Sequence, residues 1–235
     1  MAPPPRVIAT IGLHSSASTW VFNAVRELMI ATHGEPQIFS LFTDNLEGIP
    51  SEAGRHLIVK SHQPSPELIS WLTAAQAQII LSIRDPRDAS LSMAQRFNAP
   101  LIKAAAWLRV DCERMLALAV PSMPVLRYED RFFEDESALA TLAQTLDLPL
   151  APPLRSAIFA RYSSAAVRAF AQTLPSLPPE RLATVWSFDM DRVTQILAPH
   201  IGDTKSGKWR SLAPETQAIM TDIFTPFLTR FGYPP

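Results

Sequence analysis

Cysteine, glycine and net charge are all scarce in this sequence, and each shortage removes a class of protein. Cys112 is the only cysteine among 235 residues. That excludes an intramolecular disulfide and any zinc-finger spacing, and it suits the reducing cytoplasm expected here. Charged residues make up 18%, against about 25% in an average soluble domain. With hydrophobic residues at 47%, a disordered chain is excluded and a large core can be filled. Neither sign of charge prevails: 21 Lys and Arg stand against 22 Asp and Glu, a formal net charge of −1. A broad electrostatic footprint for nucleic acid or an anionic membrane is therefore excluded, although a local basic pocket is not. No run reaches the roughly 18 to 20 apolar residues that span a bilayer. Met1–Arg6 lacks a cationic end followed by an apolar stretch, so no secretory signal is expected. There is no fixed-period repeat, and low complexity is confined to the prolines at 3 to 5.

What is present is an alternation of short apolar runs with helical periodicity. Arg6–Gly12, Gln37–Phe42, His56–Lys60, Ala77–Arg84 and Met123–Tyr128 read as strands, most of them apolar on both faces. Helical spacing follows over about 17–32, from Pro66, over 87–97, 99–120 and 134–146. Strands buried on both faces and separated by helices predict an α/β fold of three layers around a central parallel sheet of about five strands. Past Pro149 the strand signals stop. Two or three helices are expected over 152–200, the Pro-rich stretch 174–179 reads as a connector, and an amphipathic helix over 214–231 closes a helical C-terminal third. The length suits a single domain over 1–235, with an α/β core at 6–150 and a mostly helical remainder at 151–235.

In an open parallel sheet, ligands gather at the carboxyl ends of the strands, and these ends are polar here. The first strand exits into Gly12-Leu-His-Ser-Ser-Ala-Ser-Thr-Trp20. Unpaired backbone N–H groups and the positive end of the following helix converge at such a turn, and Ser15, Ser16, Ser18 and Thr19 add hydroxyls. A phosphate or sulfate fits there; a Ser-rich N-cap is the plainer reading. Against the P-loop pattern G-x-x-x-x-G-K-[ST], Gly12 and Thr19 match, but Ala17 replaces the second glycine and Ser18 the lysine. Ordinary NTP hydrolysis is therefore disfavoured. The third strand exits into Lys60-Ser61-His62, a fixed cation two positions from a tunable base. The fourth exits into Arg84-Asp-Pro-Arg-Asp88, followed by Ser92, where an arginine fork and a hydroxyl suit a second phosphate. Asp85 and Asp88 either serve the ligand or simply neutralise arginines and cap the helix. The fifth exits into Tyr128-Glu-Asp130, and the late loop 201–209 carries Lys205, Ser206, Gly207 and Lys208.

In this order the segments resemble the sulfotransferases that use 3′-phosphoadenosine-5′-phosphosulfate (PAPS). The family's [YF]-P-K-S-G-T-T-W is approximated by Leu13–Trp20, and its K-[ST]-H is matched by Lys60-Ser61-His62. Its R-[ND]-P-[KR]-D-x-x-x-S is matched in full from Arg84 to Ser92, with Tyr128-Glu-Asp130 and Gly207-Lys-Trp209 as its Y-E-D and G-x-W elements. The resemblance spans about Arg6 to Trp209 and implies a P-loop-like nucleotide-binding fold. It implies transfer of a sulfuryl group from PAPS to a hydroxyl or amine, leaving 3′-phosphoadenosine-5′-phosphate (PAP), with no metal. By the same resemblance Ser15, Ser16, Ala17, Ser18 and Thr19 would hold the 5′-phosphosulfate and Trp20 would stack on adenine. Arg84 and Ser92 would bind the 3′-phosphate, helped by Tyr128 near the adenine and by Lys205, Ser206, Gly207 and Lys208. His62 would be the general base and Lys60 would balance charge on the leaving group.

Two departures matter. The family's first-loop lysine is Ser15, and its late R-K-G is replaced by Gly202-Asp-Thr204, with Lys205 as a substitute. Lys60, together with His14, is expected to supply the charge that Ser15 cannot. A weakly active or inactive PAP/PAPS-binding protein is the first alternative, and a P-loop kinase ranks last. The acceptor is expected to be a small molecule, glycan or lipid, with neither nucleic acid nor a membrane span involved. Phe159, Tyr162, Phe170 and Phe188 are read as an apolar acceptor wall or as core. Trp71, Trp107 and Trp186 are read as core or groove lining, His33 as a helix C-terminal residue, and His200 as ordering the late loop. Asp189 and Asp191 are either solvent-facing or functional.

Overall fold

A computed structural model describes residues 4–51, 54–118, 122–185, 187–199 and 201–235; Trp186 and His200 lie outside the described residues. Five parallel strands, β1 (Val7–Gly12), β2 (Ile38–Phe42), β3 (His56–Ser61), β4 (Gln78–Ile83) and β5 (Val125–Arg127), form one sheet in the order β2-β3-β1-β4-β5. Strand side chains alternate between faces, and both faces are apolar. Ile8, Ile58 and Ile80 enter one core, while Ala9, Val59 and Leu81 enter the other. The first core is covered by α1 (Ser18–His33), α5 (Ser137–Thr145), α6 (Pro152–Arg161) and α7 (Ser164–Thr173). The second is covered by α2 (Pro66–Ala74), α3 (Pro86–Phe97), α4 (Leu101–Leu118) and α8 (Pro214–Phe231). The three-layer α/β architecture expected from the apolar runs is the one observed.

Local chemistry sets where the helices begin. Ser65 caps α2 by accepting from the Leu68 amide, and Pro66 occupies its first turn. Asp85 caps α3 in the same way, accepting from the Arg87 amide, again with proline in the first turn. No side chain caps α1; it starts from Ala17, held in the left-handed region at φ 60 and ψ 26, where glycine is the residue without steric cost.

One expectation is corrected. Strand signals were expected to end at Pro149, yet β6 (Leu182–Val185) and β7 (Phe188–Asp191) form an antiparallel hairpin after two 3₁₀ turns in the Pro-rich connector. Four residues per strand are too few for a period-2 pattern to stand out. What ties the hairpin together is side-chain chemistry across it. Asp191 is fully buried and accepts from Arg181 Nε and Nη2 at 3.0 and 2.7 Å and from Thr194 Oγ1 at 2.7 Å. Burial pushes the Asp191 carboxyl up, but these donors outweigh it and hold the group below its usual range. Asp191 is thus a structural lock rather than a solvent-facing residue.

The Arg84–Asp88 segment divides its labour. Arg87 is fully buried. It donates to both Asp85 oxygens at 3.0 and 2.8 Å, to Thr221 Oγ1 at 3.0 Å and to the Pro234 carbonyl at 2.6 Å. Its guanidinium lies 3.5 Å from the Trp209 ring centre. Asp88 accepts from the Trp209 amide at 2.9 Å and from the Gly207 amide. Asp85, rather than Asp88, therefore caps the helix and neutralises an arginine, while Asp88 moors the late loop.

Candidate active site

All five parallel strands deliver their carboxyl ends to the rim of one cavity of about 580 Å³. On its floor is the turn after β1. Gly12 is required there because a Cβ would come closer than 3.0 Å to Ser18 Cβ and Ser82 Oγ. Beyond it, Ser15 (φ 65) and Ala17 (φ 60) turn the chain over the start of α1. The Ser16 amide is used by the Leu13 carbonyl and its hydroxyl pairs with Ser82 Oγ at 3.0 Å, so Ser16 faces the sheet. Ser15, Ala17, Ser18, Thr19 and Trp20 line the cavity. Ser15 Oγ and Trp20 Nε1 are buried without a hydrogen-bond partner among the described residues.

Arg84 enters the same cavity from the end of β4 and is only 3% exposed. Nη1 donates to the Ser15 carbonyl at 3.1 Å and to Ser92 Oγ at 3.2 Å, and Nη2 donates to the Lys205 carbonyl at 2.7 Å. The guanidinium sits 4.0 Å from the centre of the Tyr128 ring, and its Nε has no partner among the described residues. A buried donor left without an acceptor carries a desolvation cost of about 1 to 3 kcal/mol, and an anion is the natural way to relieve it.

At the end of β3, Lys60 is 4% exposed and its Nζ donates to Thr19 Oγ1 at 2.5 Å. Burial, and then the Arg96 guanidinium, lower its pKa to about 7, partly opposed by Asp44. His62 follows. Its Nδ1 lies 2.5 Å from the Gly12 carbonyl, which can only accept, so Nδ1 carries the hydrogen and the neutral ring keeps its lone pair on Nε2. Asp44 Oδ1 accepts from Ser61 Oγ at 2.5 Å and from the His62 and Gln63 amides at 2.9 and 2.8 Å, fixing this turn.

Eleven of the site residues expected from the motifs thus meet around one space: Ser15, Ala17, Ser18, Thr19, Trp20, Lys60, His62, Arg84, Ser92, Tyr128 and Lys208. Four do not line it. Ser16 faces β4. Lys205 contributes its carbonyl to Arg84 while its side chain is exposed, the Gly207 amide is held by Asp88, and Ser206 lies outside the wall. Of the four aromatic residues read as an acceptor wall, only Tyr162 reaches the cavity. Phe159 and Phe170 pack against the first core, and Phe188 stands beside Phe97. Trp107 lines the cavity and Trp71 packs against the second core. His33 ends α1 and stacks on His56 at the amino end of β3, away from the site.

Motif reading missed Asp44, Gln63, Arg96 and Asp111. Asp44 was within reach, because it stands just past the carboxyl end of β2, where the strand-end rule applies. Gln63 and Arg96 belong to no motif, and Asp111 lies in the middle of α4. Among the described residues no cluster of three or more His, Cys, Asp or Glu is arranged for a metal ion, and no helix is long and apolar enough to cross a membrane.

Comparison with solved structures agrees with this architecture. A mouse sulfotransferase, SULT7A1, complexed with PAP, aligns with a TM-score of 0.66 at 13% identity, covering 97% of this chain and 84% of that one. Retinol dehydratase aligns with a TM-score of 0.62 at 14% identity, covering 97% of this chain and 82% of that one. It does so both in complex with androsterone and the inactive cofactor PAP and in complex with retinol and PAP. No protein-family profile matches the sequence, and no curated protein matches it significantly. The chain has the α/β fold of the sulfotransferases, a likeness carried by architecture at low identity.

Proposed function

We propose that this chain is a PAPS-dependent sulfotransferase, built as a single domain over 1–235. The observation that carries the reading is that the turn after β1 and the Arg84 guanidinium open into one cavity. Both present buried donors there without partners among the described residues: Ser15 Oγ and Arg84 Nε. That pairing suits a nucleotide with one anionic group at each end. PAPS would supply the activated sulfuryl group. The α1 start would hold its 5′ end through the amides and hydroxyls of Ser15 to Thr19, while Arg84 and Ser92 would take the 3′-phosphate and Trp20 and Tyr128 the adenine. His62 Nε2 would accept the acceptor's proton, and Lys60 would balance the charge that grows on the leaving group. Lys208 lines the wall next to Asp203.

The lining also carries apolar side chains, Phe42, Phe97, Trp107, Val185, Met190 and Leu197, with Phe42 5.6 Å from the His62 ring. It suits a small acceptor with an apolar body and one reactive hydroxyl or amine, a class in keeping with the androsterone and retinol held by retinol dehydratase. A PAP-binding protein of little activity is the second reading, favoured by Ser15 at the family's lysine position. Labelled PAPS incubated with a panel of apolar alcohols and amines, beside a PAP binding titration, separates the two: transfer supports the first, and binding without transfer the second. Absence of PAP binding overturns both.

Arg84→Ala is expected to weaken PAP binding roughly 10- to 150-fold, the equivalent of a charge-assisted hydrogen bond of about 1.5 to 3 kcal/mol. Adenosine 5′-phosphate, which lacks the 3′ group, should lose far less. Equal losses for the two nucleotides would place the 3′-phosphate elsewhere.

Lys60 gives a proton signature. With its pKa lowered to about 7, it is mostly neutral at pH 8, and an anion bound beside it would favour the charged form. PAP binding at pH 8 should therefore take up close to one proton, and affinity should fall as pH rises above about 7. Calorimetry in buffers of differing ionisation heat measures the uptake. Lys60→Met should abolish most of it and lower turnover; unchanged uptake and turnover in that variant would remove Lys60 from the mechanism.

A further inference from the structure

One turn past Trp20, Asn23 of α1 also lines the cavity and is completely buried. Its Nδ2 donates to the Thr19 carbonyl and to the Thr194 carbonyl, both at 2.8 Å. Its Oδ1 is buried with no hydrogen-bond partner among the described residues. Building on the sulfotransferase reading, we propose that Asn23 selects the base of the donor nucleotide: Oδ1 accepts from the 6-amino group of adenine and turns away a base that carries an oxygen there, as guanine and hypoxanthine do.

A carboxamide is ordinarily indifferent to that choice, because a half-turn about its last bond exchanges the acceptor for a donor. Asn23 has lost this freedom. Both hydrogens of Nδ2 are committed to backbone carbonyls of two separate elements, α1 and the turn after β7, and a flipped amide would set Oδ1 against two acceptors. Thr194 is itself fixed, since Asp191 accepts from its amide at 3.1 Å and from its hydroxyl at 2.7 Å. Asn23 can therefore accept from a ligand and cannot donate to one. Adenine offers a donor at its 6 position where guanine offers an acceptor, and a buried acceptor left unpaired is costly. The place along α1 suits the base. The 5′ end would sit at the helix start, Ser15 to Thr19; Asn23 stands four residues beyond Thr19, a rise of about 6 Å. It is three beyond Trp20, on the same face of the helix, and Trp20 and Tyr128 are the rings that would flank adenine.

The selection is read as a ratio of two affinities, for PAP and for inosine 3′,5′-bisphosphate, which carries an oxygen in place of the amine. In the wild type PAP should bind roughly 5- to 150-fold more tightly, the cost of an unpaired buried acceptor. Equal affinities overturn the proposal, whatever a variant does. Asn23→Leu removes the acceptor together with the tie to Thr194, and should bring the two affinities close to equality. Loss of the tie weakens both nucleotides alike and cancels in the ratio. A folded variant that keeps the wild-type ratio shows that the base is read elsewhere and overturns the role of Asn23.

A second measurement needs no variant. Asn23 is one of three asparagines in the chain, so selective labelling of asparagine isolates its signals. With PAP isotope-labelled in its 6-amino group, NMR of the saturated wild-type complex should show a through-space contact between the amino protons and the Asn23 side chain. Its absence overturns the proposal even if Asn23→Leu does not fold. A protein that binds PAP and the inosine nucleotide equally loses base selection by Asn23 and keeps the sulfotransferase reading. One that binds neither loses that reading, and the role of Asn23 with it.

Discussion

Replacing His62 with alanine is expected to lower sulfuryl transfer by about 10²- to 10⁴-fold, the usual worth of a positioned general base, while PAP affinity stays within a few-fold of wild type. Its Nδ1 faces the Gly12 carbonyl at 2.5 Å, which puts the lone pair of the neutral ring on Nε2. The turn that carries it does not depend on the ring: Asp44 clamps it through the amides of residues 62 and 63 and through Ser61 Oγ, all of which survive the substitution. Parallel PAP titrations and initial-rate measurements on the two proteins check this. Loss of nucleotide binding on the same scale as loss of transfer would make His62 a structural residue.

Gly12→Ala should be the most damaging change to the turn itself. A Cβ at that position would sit closer than 3.0 Å to Ser18 Cβ and to Ser82 Oγ. Neither can give way cheaply, since Ser18 opens α1 and Ser82 lies within β4, bonded to Ser16. Relief requires α1 to move off the sheet. Overpacking of this kind costs about 3 kcal/mol, a fall in Tm of roughly 6 to 12 °C for a chain of this length. It would also carry Ser15 to Thr19 away from Arg84 and drag the Gly12 carbonyl from His62. Thermal melting and PAP titration of the variant are the measurements; a folded protein with unchanged Tm and PAP affinity would show that the start of α1 is not so tightly placed.

The sheet was legible because its physics is local. Runs such as Ile79–Ile83 are apolar on both faces and cannot be surface strands, so a parallel sheet under two helical layers follows, and with it the meeting of the strand ends. His62, Lys60 and Arg84 were found on that rule, each within one or two positions of a strand end. The hairpin of β6 and β7 was not legible, since its strands are too short to show a period and it is tied by the buried Asp191 carboxylate bonded to the part-exposed Arg181. Nor was Asp111. A carboxylate among the apolar and basic residues of α4 looks like any helical surface residue until His14, 97 positions earlier, is folded against it. Nor was the tie between Arg84 and the late loop, because Arg84 donates to the carbonyl of Lys205, a backbone partner that no side-chain pattern announces.

The stack of Arg87 on Trp209 has a consequence for the shape of the cavity's edge. It fixes one post of the rim, at Gly207 and Trp209 through Asp88; the other post is Gly202, whose carbonyl is held by Arg168 at 3.0 Å. The four residues strung between the posts have a fully stretched reach of about 17 Å from Gly202 to Gly207. That short strap is held between its ends as well, where the Lys205 carbonyl accepts from Arg84 Nη2 at 2.7 Å, so its freedom to move away from the first turn is small.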